Sequence, residues 1–269
     1  MSSQPRILVL AGRRSASLDP LAEKFGVTHK CLVPVAGEAM VGRVLRIADE
    51  AFPDSPLFLS IEDFSLVADE PTVKRLSSAG RLTPIEAEYA IVDSVVAASR
   101  ITGFPLLITT ADNVLMTAEG MRSLAALGAE PGVDGVVMMA GETDIVAAHP
   151  EGQRRFYRFR EGGYSNCNLF WLGNEQALRS TDSFRLGGQF VKKKARAVRA
   201  LGLISLFIYI SKLGTLDFMM RHFSRRFRIR MVALVTRDGR LAIDVDNERT
   251  HRVAEEILAR EGARVPASP

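Results

Sequence analysis

Short apolar runs alternate with stretches of helical periodicity along most of the chain. The run from Arg6 to Leu10 (RILVL) predicts a strand buried on both faces of a parallel sheet, and Met40 to Ala51 repeats apolar residues at helical spacing. The alternation continues with predicted strands at Leu57–Ile61, Leu106–Thr109 and Gly135–Ala140 and predicted helices at Pro84–Ala98 and Met116–Leu127. This order predicts an α/β fold with a mostly parallel central sheet flanked by helices.

The pattern changes after Gly162. Strand-like runs recur at 168–172, 231–235 and 241–245, and a helix is expected over 249–261. The last two runs are separated by Asp238-Gly239, which favours a hairpin turn. Between them and the first part lies a helical block rich in basic residues. We therefore expect one domain over residues 1–269 with a basic helical insertion at about 184–230.

Composition excludes several classes of protein. The chain has 269 residues, 47% hydrophobic and 25% charged, which is typical of a globular protein with a sizeable core. Cys31 and Cys167 are too few for a disulfide scaffold, and the start shows no signal-peptide pattern. The net charge of +4 is too small to indicate nucleic-acid binding. We expect a cytoplasmic, thiol-reduced protein.

Candidate chemistry begins directly after the first strand. The turn Leu10-Ala11-Gly12-Arg13-Arg14 is followed by Lys30 in the pattern K-x-L-x-P-V-x-G. A glycine turn lets backbone N–H groups approach a phosphate, and arginines neutralise it. Neither the P-loop nor the dinucleotide fingerprint is present. On its own, the turn is equally consistent with two solvated arginines.

Together, the two segments resemble the opening of the MobA-like and sugar-phosphate nucleotidyltransferases, which have a Rossmann-like GT-A fold. The resemblance implies that a nucleoside triphosphate is bound by the loop residues Leu10, Ala11, Gly12, Arg13 and Ser15. It also implies a catalytic role for Lys30 at the reacting phosphate. Arg13 stands where the family often has glycine, so Arg13 and Arg14 are both candidates for the catalytic arginine.

Two acidic segments extend the resemblance. Thr109 to Leu115 (TTADNVL) is similar to the family motif T-x-A-D-x-P-L, which implies that Ala111 contacts nucleotide and that Asp112 is catalytic and binds Mg²⁺. Ala242 to Glu248 resembles D-[IV]-D-T-P-E-D and implies Asp246 as the second metal ligand, with Asp244 in reserve. Strand alternation would put both on one face. Turn or helix-cap roles are the alternatives.

The resemblance says less about specificity. It implies base recognition by a segment at 78–83, with Ala79, Gly80 and Thr83, whereas Glu86 and Glu88 are expected to be solvated. It places the acceptor near Gly162 to Asn168. The candidate acceptor-binding residues are Tyr164, Asn166, Asn168 and Arg158. A polar turn leading into a strand is the alternative there.

The insertion concentrates positive charge. Residues 191–231 contain eleven Lys and Arg against Asp217 alone, and an apolar run from Leu201 to Ser211 lies among them. Lys and Arg beside an anionic leaflet each contribute about 1 kcal/mol. Peripheral attachment to the inner membrane face is therefore one interpretation, with a buried helix or a dimer contact as the others. Nucleic acid is not an expected partner, because no recognised module is present.

The sequence thus predicts a Mg²⁺-dependent nucleotidyltransferase that joins a nucleotide to a small phosphorylated acceptor. By resemblance to cytidylyltransferases of lipid headgroup synthesis, including phosphoglycerate cytidylyltransferases, CTP is the favoured nucleotide. A MobA-like guanylyltransferase and a sugar-phosphate nucleotidyltransferase are alternatives. A GT-A glycosyltransferase would show D-x-D, which Asp112-Asn113-Val114 does not. A non-catalytic, membrane-associated nucleotide-binding adaptor is the alternative from a different class.

Overall fold

The computed structural model describes residues 4–13, 17–183 and 213–262. Within these ranges the strands are β1 (Arg6–Leu10), β2 (Pro34–Val35), β3 (Glu38–Ala39), β4 (Leu57–Ile61), β5 (Leu82–Glu86), β6 (Leu106–Thr110), β7 (Gly135–Gly141), β8 (Tyr157–Phe159), β9 (Gly162–Leu172) and β10 (Met231–Thr236). The α-helices of the same ranges are α1 (Pro20–Lys24), α2 (Met40–Ala51), α3 (Pro71–Ser78), α4 (Ile91–Thr102), α5 (Ala118–Gly128), α6 (Glu142–Ala148), α7 (Leu216–Phe227) and α8 (Glu248–Gly262).

A single large sheet organises these elements. Its strand order is β10-β7-β9-β6-β1-β4-β5, with β8 paired to β9. The strands β5, β4, β1 and β6 are parallel, and β10 is parallel to β7, whereas β9 is antiparallel to both β6 and β7. The chain order reverses between β1 and β6, and open α/β sheets bind ligands beyond the strand ends at such a switch point. The mostly parallel α/β sheet predicted from the sequence is confirmed.

Helices cover both faces of this sheet. On one face α2 and α5 pack in the larger core, in which Val9, Val44 and Met121 are fully buried. On the other face Val95 and Ala98 of α4 pack in a second core together with residues of β1 and β6. Alternate residues of β1 therefore enter different cores, which explains why its run is apolar without interruption.

One predicted helix begins too early. The sequence placed a helix over Pro84–Ala98, but Leu82–Glu86 is the strand β5, and the helix α4 runs from Ile91 to Thr102. Proline at the predicted start suggested a helix N-terminus. Pro84 instead lies on an edge strand, where a missing N–H costs no internal hydrogen bond. Glu86 therefore ends a strand and does not belong to a helix.

The predicted hairpin at Asp238-Gly239 is wrong. Strand β10 pairs in parallel with β7, and the residues after it form a 3₁₀ turn, Gly239–Ala242. Asp238 caps this turn by accepting a hydrogen bond from the N–H of Arg240. Gly239 is required for packing, since a Cβ there would lie 2.2 Å from the carbonyl oxygen of Asp144.

Two further predictions change with this part of the chain. Residues 241–245 form no strand, so the alternation that put Asp244 and Asp246 on one face does not apply. The N–H of Asp246 instead donates to the carbonyl of Asp244 at 3.1 Å in a tight turn.

Of the predicted insertion, α7 is described, and residues 184–212 lie outside the described residues. Among the helices of the described ranges, none has the length and apolarity to cross a bilayer.

Candidate active site

The carboxyl ends of four adjacent parallel strands are joined by main-chain hydrogen bonds. The N–H of Ala111, after β6, donates to the carbonyl of Leu10 at 2.9 Å, and the N–H of Ala11 donates to Ser60 at 2.8 Å. The N–H of Ala87, after β5, donates to Ile61 at 3.1 Å. Each pair extends the sheet by one residue, so the loops that follow begin from fixed positions.

Gly12 lies where two of these loops approach most closely. A Cβ built at Gly12 would stand 2.7 Å from the Cβ of Ala87. Any larger residue would force the loop after β1 away from the loop after β5. The glycine that suggested a phosphate-binding turn is therefore required here by packing as well.

Lys30 connects the two predicted metal ligands. It begins a 3₁₀ turn, Lys30–Leu32, and its Nζ donates to Asp112 Oδ2 at 2.7 Å and to Asp246 Oδ1 at 2.9 Å. The side chains of Lys30 and Asp112 are 23% and 18% exposed, whereas Asp246 is 65% exposed. Three candidates that are far apart in the sequence thus meet at the switch point between β1 and β6.

Local hydrogen bonds fix the carboxylate of Asp112 and the main chain at Asp246. The hydroxyl of Thr110 donates to Asp112 Oδ1 at 2.6 Å, and the N–H of Val245 donates to the carbonyl of Asp112 at 3.0 Å. The N–H of Asp246 donates to the hydroxyl of Thr250 at 2.9 Å in the first turn of α8. The segment before α8 is therefore attached to the end of β6 by its main chain.

The charges around Lys30 determine its protonation state. Burial acts to lower the pKa of the Lys30 ammonium, but the carboxylates of Asp112 and Asp246 outweigh that effect and raise the pKa above its ordinary value. Lys30 is thus a permanent cation at neutral pH. Burial, together with the nearby carboxylate of Glu62, raises the pKa of Cys31 to about 12, so this thiol is not a nucleophile at neutral pH.

The donor set is compatible with Mg²⁺. Magnesium in nucleotide enzymes is bound by one or two carboxylates together with substrate phosphates. Asp112 and Asp246 supply two carboxylates that share one cation, Lys30. Over residues 4–13, 17–183 and 213–262, no group of three or more His, Cys, Asp or Glu forms a metal cage of its own. The site therefore fits a metal that is completed by substrate, not a structural metal centre.

A cavity of about 330 Å³ lies against these residues. The predicted site residues that line it are Leu10, Ala11, Gly12, Arg13, Lys30, Ala111, Asp112 and Asp246. Arg14 and Ser15, also predicted to bind here, lie outside the described residues. The structure does not bring Ala79, Gly80 and Thr83 to the cavity, because they lie at the amino end of β5, opposite the cavity edge.

The loop after β5 lines the cavity instead. Ala87, Glu88, Tyr89, Ile91 and Ser94 form this wall. Ser94 is 3% exposed, and its hydroxyl accepts from the N–H of Glu88 at 2.8 Å, which fixes the loop. Sequence reasoning missed this wall because it placed a helix here. Recognising β5 would have pointed to the residues after Glu86.

The predicted acceptor residues belong to β8 and β9, not to a turn. Asn168 has a left-handed φ of 48°, and its N–H donates to Asn166 Oδ1 at 3.0 Å across a bulge in β9. Tyr164 packs edge-on against Phe159, and Arg158 forms an ion pair with Glu142. These side chains contact protein neighbours, and none of the four predicted residues lines the cavity.

Asn113 links the two regions, and sequence reasoning overlooked it. Its side chain is fully buried, and Nδ2 donates to the carbonyl of Cys167 at 2.9 Å and to Thr109 Oγ1 at 3.2 Å. Cys167 lies in the bulge of β9, between Asn166 and Phe170. The residue next to Asp112 therefore connects the end of β6 to β9. The position of an asparagine directly after the candidate metal ligand was the available signal.

Solved structures of similar fold were found, whereas no protein-family model and no curated protein matched the chain. A hypothetical transferase from Thermus thermophilus is 24% identical with a TM-score of 0.73, over 93% of this chain and 100% of the other. A CMP:2-keto-3-deoxy-manno-octonic acid synthetase complexed with CTP is 11% identical with a TM-score of 0.56, over 96% and 100% of the two chains.

A third similar structure is the 4-diphosphocytidyl-2C-methyl-D-erythritol synthase from Anaerococcus prevotii. It is 9% identical with a TM-score of 0.55, over 95% of this chain and 97% of the other. At these identities the likeness establishes the fold. The chain has the mixed α/β fold of the nucleotidyltransferases, which its opening motifs predicted.

Proposed function

We propose that this protein is a nucleotidyltransferase that transfers a nucleotide from a nucleoside triphosphate, CTP being favoured, to a small phosphorylated acceptor and releases pyrophosphate. One observation carries the proposal: Lys30 Nζ contacts both Asp112 and Asp246 at the switch point of the sheet, beside the Gly12 loop. A cation between two carboxylates suits a polyphosphate, because the cation and a metal can share its negative charge.

The lining of the cavity supports one orientation of a nucleotide. The exposed side chains of Leu18, Tyr89 and Ile91 contribute apolar lining, whereas Lys30 and Asp112 contribute charged lining. In this proposal the base and ribose lie against the apolar residues and the phosphates against Lys30. Because Gly12 has no side chain, the main chain of this loop can come close to the phosphates.

The proposed reaction is a single in-line displacement. A phosphate oxygen of the acceptor forms a bond to the α-phosphorus, the bond from that phosphorus to the bridging oxygen breaks, and pyrophosphate leaves with the electron pair. Lys30 and Arg13 neutralise and orient the phosphates. Mg²⁺, held by Asp112 and Asp246, would supply charge neutralisation for the phosphate oxygens. No side chain needs to form a covalent intermediate.

The choice of CTP and of a small phosphorylated acceptor rests on resemblance. One structure of similar fold was solved with CTP, and another is named for a cytidyl product. We propose a phosphoglycerate or another phospho-polyol as acceptor, in keeping with lipid headgroup synthesis. We keep the proposed acceptor side on β8 and β9, with Arg158, Tyr164, Asn166 and Asn168. The reason is that the hydrogen bond from Asn113 to the carbonyl of Cys167 connects the end of β6 to β9.

Pyrophosphate release tests the reaction. The wild-type protein is mixed with each of the four common nucleoside triphosphates, Mg²⁺ and candidate phosphorylated acceptors. We expect release with one triphosphate, CTP, and loss of release in Asp112→Ala. A response to GTP alone would favour a MobA-like guanylyltransferase. Nucleotide binding without release under all conditions would support the non-catalytic adaptor.

We further propose that the protein attaches peripherally to anionic membrane. The observation in favour is α7, on which Arg225 and Arg226 are exposed near half-buried Phe223 and Phe227. Ser224 anchors this helix, since its hydroxyl donates to the carbonyl of Met231 on β10 at 3.1 Å. Wild-type protein should float together with vesicles that contain phosphatidylserine, and much less of the Arg225→Glu/Arg226→Glu variant should float with them. Absence of wild-type flotation would reject attachment.

A further inference from the structure

The carboxylate of Glu62 receives three hydrogen bonds from two separate loops. Glu62 follows β4 directly. The main-chain N–H of Arg13 donates to Oε2 at 3.1 Å, and Nε of Arg13 donates to Oε1 at 2.6 Å. The third donor is the ring of His29, whose Nε2 lies 2.8 Å from the same Oε1. One side chain thus joins the loop after β1 to the residue before Lys30.

Glu62 makes these contacts from outside the lining of the cavity. Arg13 and Lys30 line the cavity, whereas Glu62 and His29 do not. A nucleotide in the cavity would therefore meet Arg13 and Lys30 without displacing Glu62. The carboxylate acts on the site through the two residues that it holds.

The contact with Arg13 determines which edge of the guanidinium faces outward. The carboxylate of Glu62 accepts hydrogen bonds from Nε and from the main-chain N–H of Arg13, so the planar guanidinium is held on its Nε side. The terminal nitrogens of a guanidinium lie on the side away from Nε and can form paired hydrogen bonds to phosphate. Arg13 is thereby oriented before a ligand arrives.

The contact with His29 anchors the other loop. The side chain of His29 is 4% exposed, and in the described part of the chain its Nδ1 is buried without a hydrogen-bond partner. Because Nε2 faces a carboxylate, Nε2 carries a proton. Glu62 is thus the polar contact that orients this buried ring, and Lys30 is the next residue along the chain.

We propose that Glu62 is a positioning residue that orients Arg13 and Lys30 together for phosphate binding; this inference rests on the proposed function. Burial acts to raise the pKa of Glu62, but main-chain N–H groups, His29 and Arg13 outweigh it and lower that pKa below its ordinary value. The side chain is therefore an anion at neutral pH, as its donors require.

The test compares CTP binding, in the presence of Mg²⁺, across matched variants by calorimetry. Glu62→Ala should weaken binding about tenfold, within the coupling known for residues in one network. Glu62→Gln keeps the shape and one acceptor oxygen, so its loss should be intermediate. Asp63→Asn is the control, since Asp63 is exposed and accepts hydrogen bonds from Ser65. This control should bind as the wild type does.

A double variant separates positioning from general structural damage. If Glu62 acts through Arg13, Glu62→Ala should weaken binding less in an Arg13→Ala background than in the wild type. In unliganded protein, the backbone amides at residues 10–13 and 29–33 should exchange with deuterium faster in both Glu62 variants than in the wild type. In Asp63→Asn their exchange rates should equal those of the wild type.

Each remaining outcome decides against one proposal. Two results would overturn the role of Glu62 and leave the proposed function intact. One is that Glu62→Ala binds CTP as tightly as the wild type does. The other is that the losses of CTP affinity in Glu62→Ala and Arg13→Ala multiply fully in the double variant. Failure of the wild type to bind any of the four triphosphates would overturn the proposed function and this inference with it. If Glu62→Ala does not fold, Glu62→Gln gives the same comparison.

Discussion

On one side of the cavity, the ends of β5, β4, β1 and β6 are joined by main-chain hydrogen bonds, as between Ala11 and Ser60. On the other side, β7, β8 and β9 pair as antiparallel strands, but a bulge interrupts β9. Side chains add contacts at this irregular edge, among them the pair Arg158–Glu142 and the Oδ1 of Asn166, which accepts from the N–H of Asn168. We call these the β1 side and the β9 side. Main-chain bonds tolerate most sequence changes, whereas side-chain contacts depend on each residue. Chemistry common to many substrates thus suits the β1 side, and specificity suits the β9 side.

The largest expected effect concerns catalysis on the β1 side. Asp112→Asn keeps the shape of the side chain but removes the negative charge that contacts Lys30. We expect the rate of pyrophosphate release to fall about 10²–10³-fold, as when one preorganised electrostatic contact is lost. Asp246→Asn should cost less, because its side chain is mostly exposed. Equal losses in the two variants would contradict the geometry described for the site.

The next effect concerns the connection between the two sides. Asn113→Ala removes both buried hydrogen bonds, to Cys167 and to Thr109. We expect the free energy of unfolding to fall by about 2–3 kcal/mol. Urea denaturation measures this change. Asn166→Ala is the matched control, and its cost should stay below about 1 kcal/mol because Asn166 is partly exposed. Similar losses in both would mean that Asn113 is not the main connection.

The two sides also differ in how far the sequence predicts them. The strand RILVL and the helix at Met40–Ala51 were predicted with the bounds that the structure shows, because their patterns are long and regular. Lys30, Asp112 and Asp246 were predicted from motifs of the family that the chain resembles. Asp112 directly follows the parallel strand β6, whereas Lys30 and Asp246 reach it from a 3₁₀ turn and from the segment before α8.

What sequence reasoning missed depends on contacts between distant segments. The strand β5 has two buried residues, Leu82 and Ile85, at a spacing that resembles a helix. The turn Asp238-Gly239 has hairpin chemistry, but Gly239 instead packs against α6. The roles of Glu62 and Asn113 appear only once β4 and β9 are placed beside β1 and β6. Such long-range pairings cannot be derived from local periodicity.

A smaller effect should appear on the β9 side. Arg158→Ala breaks a half-exposed ion pair with Glu142, so the free energy of unfolding should change by less than about 1 kcal/mol. If Arg158 contributes to acceptor binding, KM for the acceptor rises and the Kd for CTP stays the same. Glu142→Gln breaks the same ion pair but keeps Arg158. An equal rise in KM in Glu142→Gln would show that the ion pair, not the arginine, supports binding.

The smallest effect is an expected absence of pH dependence on the β1 side. The folded-state pKa of Lys30 is raised above its ordinary value of 10.5 by Asp112 and Asp246, which outweigh burial. A raised pKa of a basic group contributes stability that is complete below the unfolded-state pKa and is lost only as pH rises through the folded-state value. The difference in unfolding free energy between wild type and Lys30→Met should therefore be constant from about pH 6 to pH 9, as chemical denaturation at several pH values can measure. A difference that shrinks toward pH 9 would mean that Lys30 loses its proton there, and the two carboxylates would then not hold it as the structure indicates.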